Sequence, residues 1–143
     1  MLEFNAATEL ILETFRLNGD LLVSGDALVA DVGLTSARWQ VLGAMALSPT
    51  PLTVAHIARN MGLTRQAVQR LANEMEGDGF VRFEANPHHQ RSRFVVLTAP
   101  GKAAFDAAMK LQKPWVRKIA DGLTVKQIET ATAVLRTMRQ RLG

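Results

Sequence analysis

One change in the spacing of apolar residues limits what this chain of 143 residues can fold into. Up to Gly79, apolar residues recur every three or four positions, as they do on one face of an α-helix. Beyond it, residues 80–84 and 94–97 are rich in aromatic and β-branched side chains, which is typical of short strands. The polar stretch 85–93 between them is too long for a tight turn. The sequence therefore predicts helices followed by a β-hairpin with a projecting loop.

Two short helices are predicted directly before this hairpin. Thr53 can cap the first of them, and Gly62 stands where a left-handed residue is needed to end it. The second helix covers about residues 64–78, and its predicted buried stripe is Val68, Leu71, Ala72 and Met75. A helix-turn-helix followed by a hairpin is a winged helix-turn-helix, which we predict over residues 35–98. The predicted fold class is mainly α with a small β-hairpin wing.

Amphipathic helices are also predicted on both sides of these two helices and the hairpin. They span about residues 5–30, 36–47, 98–122 and 124–142. The apolar stripes of the outer helices are larger than a small central module can cover, so they predict a partner. We expect a homodimer in which residues 1–30 and 99–143 form the helical dimerisation part. The whole chain, residues 1–143, is then a single domain.

For two of these helices the sequence predicts a further detail, namely which residues face the core and where the helix bends. Trp39, Leu42 and Ala46 are expected to face the core from the second helix of the chain. Pro114 is expected to kink the fifth helix, because its ring removes a backbone hydrogen bond.

Composition excludes several classes of protein. The chain contains no Cys, so it has no disulfide framework, no thiolate zinc site and no cysteine-based redox switch. No apolar run approaches the roughly 20 residues that a membrane span requires. The first residues also lack the pattern of a signal peptide. We therefore expect a cytoplasmic protein without a membrane partner.

Patterns for catalysis and metal binding are missing as well. The sequence contains no Gly-x-Ser-x-Gly elbow, no glycine loop for phosphate and no paired carboxylates near a histidine. His88 and His89 are adjacent, so their side chains point in different directions, and His56 is distant in the sequence. We predict no metal site and no cofactor, and we predict that the protein is not an enzyme.

Positive charge is concentrated in one stretch of a chain whose formal net charge is +4. Between Val32 and Asn73 there is no Asp or Glu. The arginines of this stretch are Arg38, Arg59, Arg65 and Arg70. Such a stretch suits a polyanion, although a merely solvated basic face would have the same composition.

The fourth helix leaves a row of hydrogen-bonding side chains outside its apolar stripe. These are Arg65, Gln66, Gln69, Arg70 and Asn73. Arg can donate two parallel hydrogen bonds to guanine, and Gln and Asn can pair with adenine in a similar way. We therefore predict that this face reads base edges in the major groove of double-stranded DNA. The alternative is an ordinary solvated helix face.

Two arginines of the predicted wing are also candidates for DNA contacts. Arg91 is predicted to enter a minor groove, and Arg93 is predicted to hold a phosphate. For both residues the alternative is a solvated loop.

Short motifs follow one another in a characteristic order between Leu34 and Phe105. They are Leu34-Thr35, Arg38-Trp39-Gln40-Val41-Leu42, Ile57-Ala58, Leu63-Thr64, Val68-Gln69-Arg70-Leu71, Gly79-Phe80-Val81, and Leu97-Thr98 with Gly101. In this order they resemble the multiple-antibiotic-resistance regulator (MarR) family of bacterial winged-helix repressors. The resemblance implies a homodimer that binds a short palindromic operator, with small aromatic or anionic effectors relieving repression.

The resemblance also identifies Arg91 with the minor-groove arginine of the family. The wing here reads His88-His89-Gln90-Arg91-Ser92-Arg93, and the acidic residue that commonly accompanies that arginine is missing.

A ligand that relieves repression is expected beside the dimerisation helices. We predict Phe15, Arg16, Trp39 and Trp115 as its contacts. Its binding would change the spacing of the two DNA-reading helices. Two other functions remain open, namely a winged helix that docks proteins without sequence-specific DNA binding and an enzyme that uses the histidine pair.

Overall fold

The structure, a computed structural model, describes residues 2–143. Its helices are α1 (Leu2–Val29), α2 (Ser36–Ala46), α3 (Val54–Met61), α4 (Arg65–Gly77), α5 (Ala99–Ala120) and α6 (Val125–Leu142), and its strands are β1 (Leu52–Thr53), β2 (Val81–Glu84) and β3 (Phe94–Leu97). A short 3-10 turn, Ala30–Val32, follows α1. The predicted mainly helical fold with a small wing is confirmed.

The sheet has three antiparallel strands in the order β1-β3-β2. Strands β2 and β3 form the predicted hairpin, with Val81 opposite Leu97 and Glu84 opposite Phe94. The prediction of a hairpin alone is incomplete, because β1 adds a third strand by pairing Leu52 with Val95. Two residues are too few to show a period, so β1 is recognisable only from its partner.

Local capping explains where the two central helices begin and end. The side chain of Thr53 accepts a hydrogen bond from the N–H of His56, and Gly62 ends α3 with a left-handed φ of 66°. Thr64 caps α4 by accepting from the N–H of Ala67. The four residues of the predicted stripe on α4 are all buried, which confirms that prediction. The opposite face of α4 is consequently turned to solvent.

Helix α2 buries a face that agrees only in part with the predicted one. Val41, Leu42 and Met45 are buried, and Trp39 is half-buried against this core. The prediction for Ala46 is wrong, because the helix ends there and Ala46 is exposed.

A glycine is required where the start of α5 meets the turn between α4 and β2. A Cβ atom built on Gly101 would collide with the backbone carbonyl oxygen of Phe80. This close approach fixes the first turn of α5 beside the base of the wing.

The chain divides into two compact units at Leu111 and Gln112. The buried core found within residues 2–143 lies wholly in the first unit. In the second unit, which extends to Gly143, none of the fully described residues of α6 is buried. Helix α5 continues through Pro114, and the kink expected there stays a prediction. None of the helices in the described part of the chain has both the length and the apolar character of a bilayer span.

Candidate nucleic-acid interface

Helix α4 presents the five predicted base-reading side chains to solvent. Arg65, Gln66, Gln69, Arg70 and Asn73 are all exposed. They are exposed because the buried stripe holds the other face of α4 against the core, while Thr64 fixes the start of the helix. An exposed, firmly anchored helix is the element that can enter a major groove.

Two amides on this face are joined to each other. Nε2 of Gln69 donates a hydrogen bond to Oδ1 of Asn73 over 2.8 Å. This bond uses one of the two N–H groups of Gln69, so its second N–H and its carbonyl oxygen can still pair with the edge of adenine. The pairing sets the orientation of the Gln69 amide before any DNA arrives.

The wing loop is held by one buried polar residue. Asn86 is 8% exposed, and its Nδ2 donates to the backbone carbonyl oxygen of Ser92 over 2.9 Å. Its Oδ1 accepts from the backbone N–H of His88 at 3.0 Å. No role was predicted for Asn86 from the sequence, although Asn followed by Pro is a known turn signal.

The two wing arginines differ in their surroundings. The guanidinium carbon of Arg93 lies 4.5 Å from the centroid of the Phe83 ring, which is a cation–π contact. That contact holds Arg93 against the sheet with its charge still at the surface. Arg91 is exposed on the loop.

A groove of about 380 Å³ lies between the first turn of α3, the first half of α4 and the wing. Its lining includes Arg65, Gln66, Gln69, Arg91 and Arg93. Five of the seven predicted DNA-binding residues therefore meet at one groove. Arg70 and Asn73 lie on α4 but are not among the described lining residues. No Asp or Glu is found in that lining, so the three arginines make the groove attractive to a phosphate backbone.

Arg38 does not add its charge to this basic surface. Its side chain is 20% exposed, and it donates to Oδ2 of Asp78 at 2.7 Å and to Oε2 of Glu74 at 3.4 Å. The expectation that the whole acid-free stretch presents positive charge is wrong for Arg38, because the fold brings acids from the end of α4 next to it.

The predicted ligand contacts have varied surroundings. Phe15 is exposed on α1, and Arg16 beside it donates to Oε1 of Glu13 over 2.8 Å. Trp39 packs half-buried against the core of the first unit. Trp115 is half-buried and belongs to the second unit. Their role in ligand binding stays a prediction.

The histidines do not form a metal site with neighbouring acids. Within residues 2–143, no group of three or more His, Asp or Glu side chains is arranged to hold an ion.

A helix-turn-helix joined to a three-stranded sheet, with a polar face on its second helix, defines a winged helix-turn-helix protein. A family model described as the MarR family matches residues 32–92. Over these residues the chain matches the MarR family, and its fold is that of solved MarR family regulators.

Three similar proteins illustrate the range of this resemblance. An uncharacterized protein of Mycobacterium tuberculosis is 35% identical over 129 residues, which are 90% of this chain and 89% of that protein. The transcriptional activatory protein BadR of Rhodopseudomonas palustris is 31% identical over 114 residues, or 78% of this chain and 63% of BadR. The transcriptional regulator MosR of M. tuberculosis, solved in complex with DNA, superposes with a TM-score of 0.78 at 24% identity, covering 92% of this chain and 96% of MosR.

Proposed function

We propose that this protein is a transcriptional regulator that binds double-stranded DNA in a sequence-specific manner. The observation that carries the proposal is the groove in which Arg65, Gln66 and Gln69 of α4 meet Arg91 and Arg93 of the wing. The helix residues can read bases in a major groove, while the wing arginines contact the neighbouring minor groove and backbone. In support, the similar structure of MosR is a complex with DNA. The proposal includes no catalytic activity and no cofactor.

The protein acts as a homodimer in this proposal. Large apolar side chains are exposed along α1 and α6, among them Phe4, Leu17, Val125, Ile128 and Leu135. Exposed apolar surface of this extent is typical of a protein–protein interface. We infer that a second copy of the chain covers this surface, and the inference predicts a palindromic operator, because a symmetric dimer presents two α4 helices to half-sites about 34–36 Å apart.

We further propose that the protein is a cytoplasmic repressor and that a small aromatic or anionic effector relieves the repression. An effector near Phe15, Arg16, Trp39 or Trp115 acts only if it binds one spacing of the dimer more tightly than the other. The related BadR is named as an activatory protein, so a reporter gene placed behind the selected operator is needed to determine the sign of regulation.

Selection of bound duplexes from a random DNA pool at about 0.15 M salt tests the proposal directly. We expect the full chain to select a palindrome with two half-sites. The double variant Gln69→Ala/Arg70→Ala should lose the selected sequence, whereas the matched control Gln40→Ala/Arg59→Ala should retain it. The function would be rejected if the wild type selected no sequence, or if Gln69→Ala/Arg70→Ala selected a sequence as well as the wild type does. Either result would favour a protein-docking module.

A further inference from the structure

The first turn of α2 is fastened to α1 by a buried serine. The backbone N–H of Ser36 donates to Oδ1 of Asp26 over 2.7 Å, and its hydroxyl donates to the carbonyl oxygen of Leu22 over 2.9 Å. Gly25 permits this approach, because a Cβ atom there would collide with the Ser36 hydroxyl oxygen. Hydrogen bonds and steric fit thus define how α1 and α2 meet.

Two residues later, the same turn is fastened to the far end of α4. Arg38 binds Asp78 at 2.7 Å and Glu74 at 3.4 Å. Asp78 is the C-cap of α4, and Glu74 lies one turn before it. The side chain of Arg38 is only 20% exposed, and its guanidinium group is held between the two carboxylates.

Ser36 and Arg38 therefore connect α1 to α4 through a single helical turn. Helix α4 has 13 residues and is about 20 Å long. Arg38 holds its C-terminal end, whereas the groove-lining residues Arg65 and Gln66 are at its N-terminal end. Any tilt of α4 that starts at its C-terminal end therefore also moves its N-terminal end, which contacts DNA in the proposed function.

We propose that Arg38 is a positioning residue that sets the direction of α4 relative to α1 and thereby the half-site spacing that a dimer accepts. This inference rests on the proposed function, because it requires two copies of the chain on one operator. It assigns to Arg38 no contact with DNA. Loss of Arg38 should affect the preferred distance between half-sites and leave the preferred bases within each half-site unchanged.

Binding to a series of operators whose half-sites differ in separation by single base pairs tests this role. We expect the wild type to prefer one separation about tenfold over its neighbours, because each added base pair also rotates one half-site around the duplex. Arg38→Met keeps the length of the stem and removes the charge, and it should reduce that preference to about two- to threefold. Arg38→Lys should restore part of it, since one ion pair can still form.

Two further variants separate positioning from stability. Asp78→Asn keeps the shape of the C-cap and should relax the spacing as Arg38→Met does, and combining the two should add little. Lys102→Met, which removes an exposed ion pair with Asp106 on α5, is the matched control and should leave the spacing preference unchanged. Thermal unfolding identifies any variant that has lost its fold. If Arg38→Met is such a variant, the spacing preference of Asp78→Asn decides the test.

The outcomes distinguish this inference from the function on which it rests. Unchanged spacing in both Arg38→Met and Asp78→Asn overturns the inference and leaves DNA binding intact. An altered base preference within the half-site also overturns it, because Arg38 would then act at the bases. A wild type that binds no spaced pair of half-sites overturns the proposed function together with the inference.

Discussion

The side-chain amide of Gln69 donates a hydrogen bond to Oδ1 of Asn73, 2.8 Å away and one turn further along α4. A glutamine that pairs with adenine must present one N–H and one carbonyl oxygen at the same time. Asn73 orients the amide of Gln69, so part of the entropy cost of ordering this side chain is met in the free protein.

Replacing Gln69 by Ala is expected to remove about 1–3 kcal/mol of discrimination at one base pair in each half-site. Asn73→Ala should have a smaller effect at the base pair that Gln69 reads, because it loosens Gln69 without removing it, and any contact of Asn73 with a base should show as a loss at a second base pair. Competition binding against operators with each base changed in turn measures both effects. The control is Gln40→Ala, which replaces an exposed glutamine on α2. Equal weakening on every sequence would contradict base reading by Gln69.

Arg93 should depend on its stacking as well as on its charge. Arg93→Lys keeps the charge but loses the planar contact with Phe83, which is worth about 0.5–1 kcal/mol at an exposed site. We expect DNA affinity to fall roughly two- to fivefold with an unchanged dependence on salt. Arg93→Ala should additionally reduce the slope of log affinity against log salt by about 1. Titrations at several salt concentrations measure the slope, and an unchanged slope in Arg93→Ala would exclude a phosphate contact.

The wing should loosen when its buried asparagine is removed. Asn86→Ala leaves two backbone groups without their partners, at a cost of about 1–3 kcal/mol. Hydrogen exchange at the amide of His88 should accelerate, and DNA affinity should fall although Asn86 is not among the predicted contacts. Asn60→Ala on the exposed surface of α3 should change neither quantity. Unaltered exchange at His88 would refute the role of Asn86.

Gly101 should tolerate no side chain. Gly101→Ala places a Cβ atom on the carbonyl oxygen of Phe80, and we expect the free energy of unfolding to fall by about 1–3 kcal/mol or more. Gly77→Ala is the matched control, because no atom other than those of its chain neighbours and its own helix backbone lies within 4 Å of the added Cβ, and alanine favours a helix. Chemical denaturation of both variants measures the difference. Equal stability of the two would show that the turn can relax.

The apolar face of α6 should be required for self-association. Ile128→Glu and Leu135→Glu each place a charge on this exposed apolar stripe and should shift the protein from dimer to monomer. Sedimentation equilibrium measures the shift, and the monomer should bind the palindrome much more weakly than the dimer. Leu47→Glu changes another exposed leucine, at the end of α2, and should leave the dimer intact. A wild type that is monomeric at every concentration would end the dimer hypothesis.

Features determined by neighbours in the sequence were predictable. The caps of α3, the buried stripe of α4 and the β2–β3 hairpin depend on residues within a turn or a hairpin of one another. For the same reason the exposed face of α4 could be named residue by residue.

Features determined by distant partners were not predictable. Strand β1 exists through its pairing with β3, and Arg38 is neutralised by carboxylates from the end of α4. The burial of Asn86 depends on the path of the whole wing loop. Each of these contacts joins elements that are distant in the sequence, and the spacing of residues within one element does not predict such contacts.

The path of the wing loop is held by the side chain of Asn86 and by backbone groups of its neighbours. Asn86 binds the backbone N–H of His88 and the backbone carbonyl of Ser92, and its own carbonyl oxygen accepts from the N–H of His89. The side chains at positions 88–91 take no part in these bonds, so they can diverge while the loop retains its course. We therefore expect substitutions at positions 88–91 to alter the contacts that the wing offers to DNA while Asn86 keeps the path of the loop.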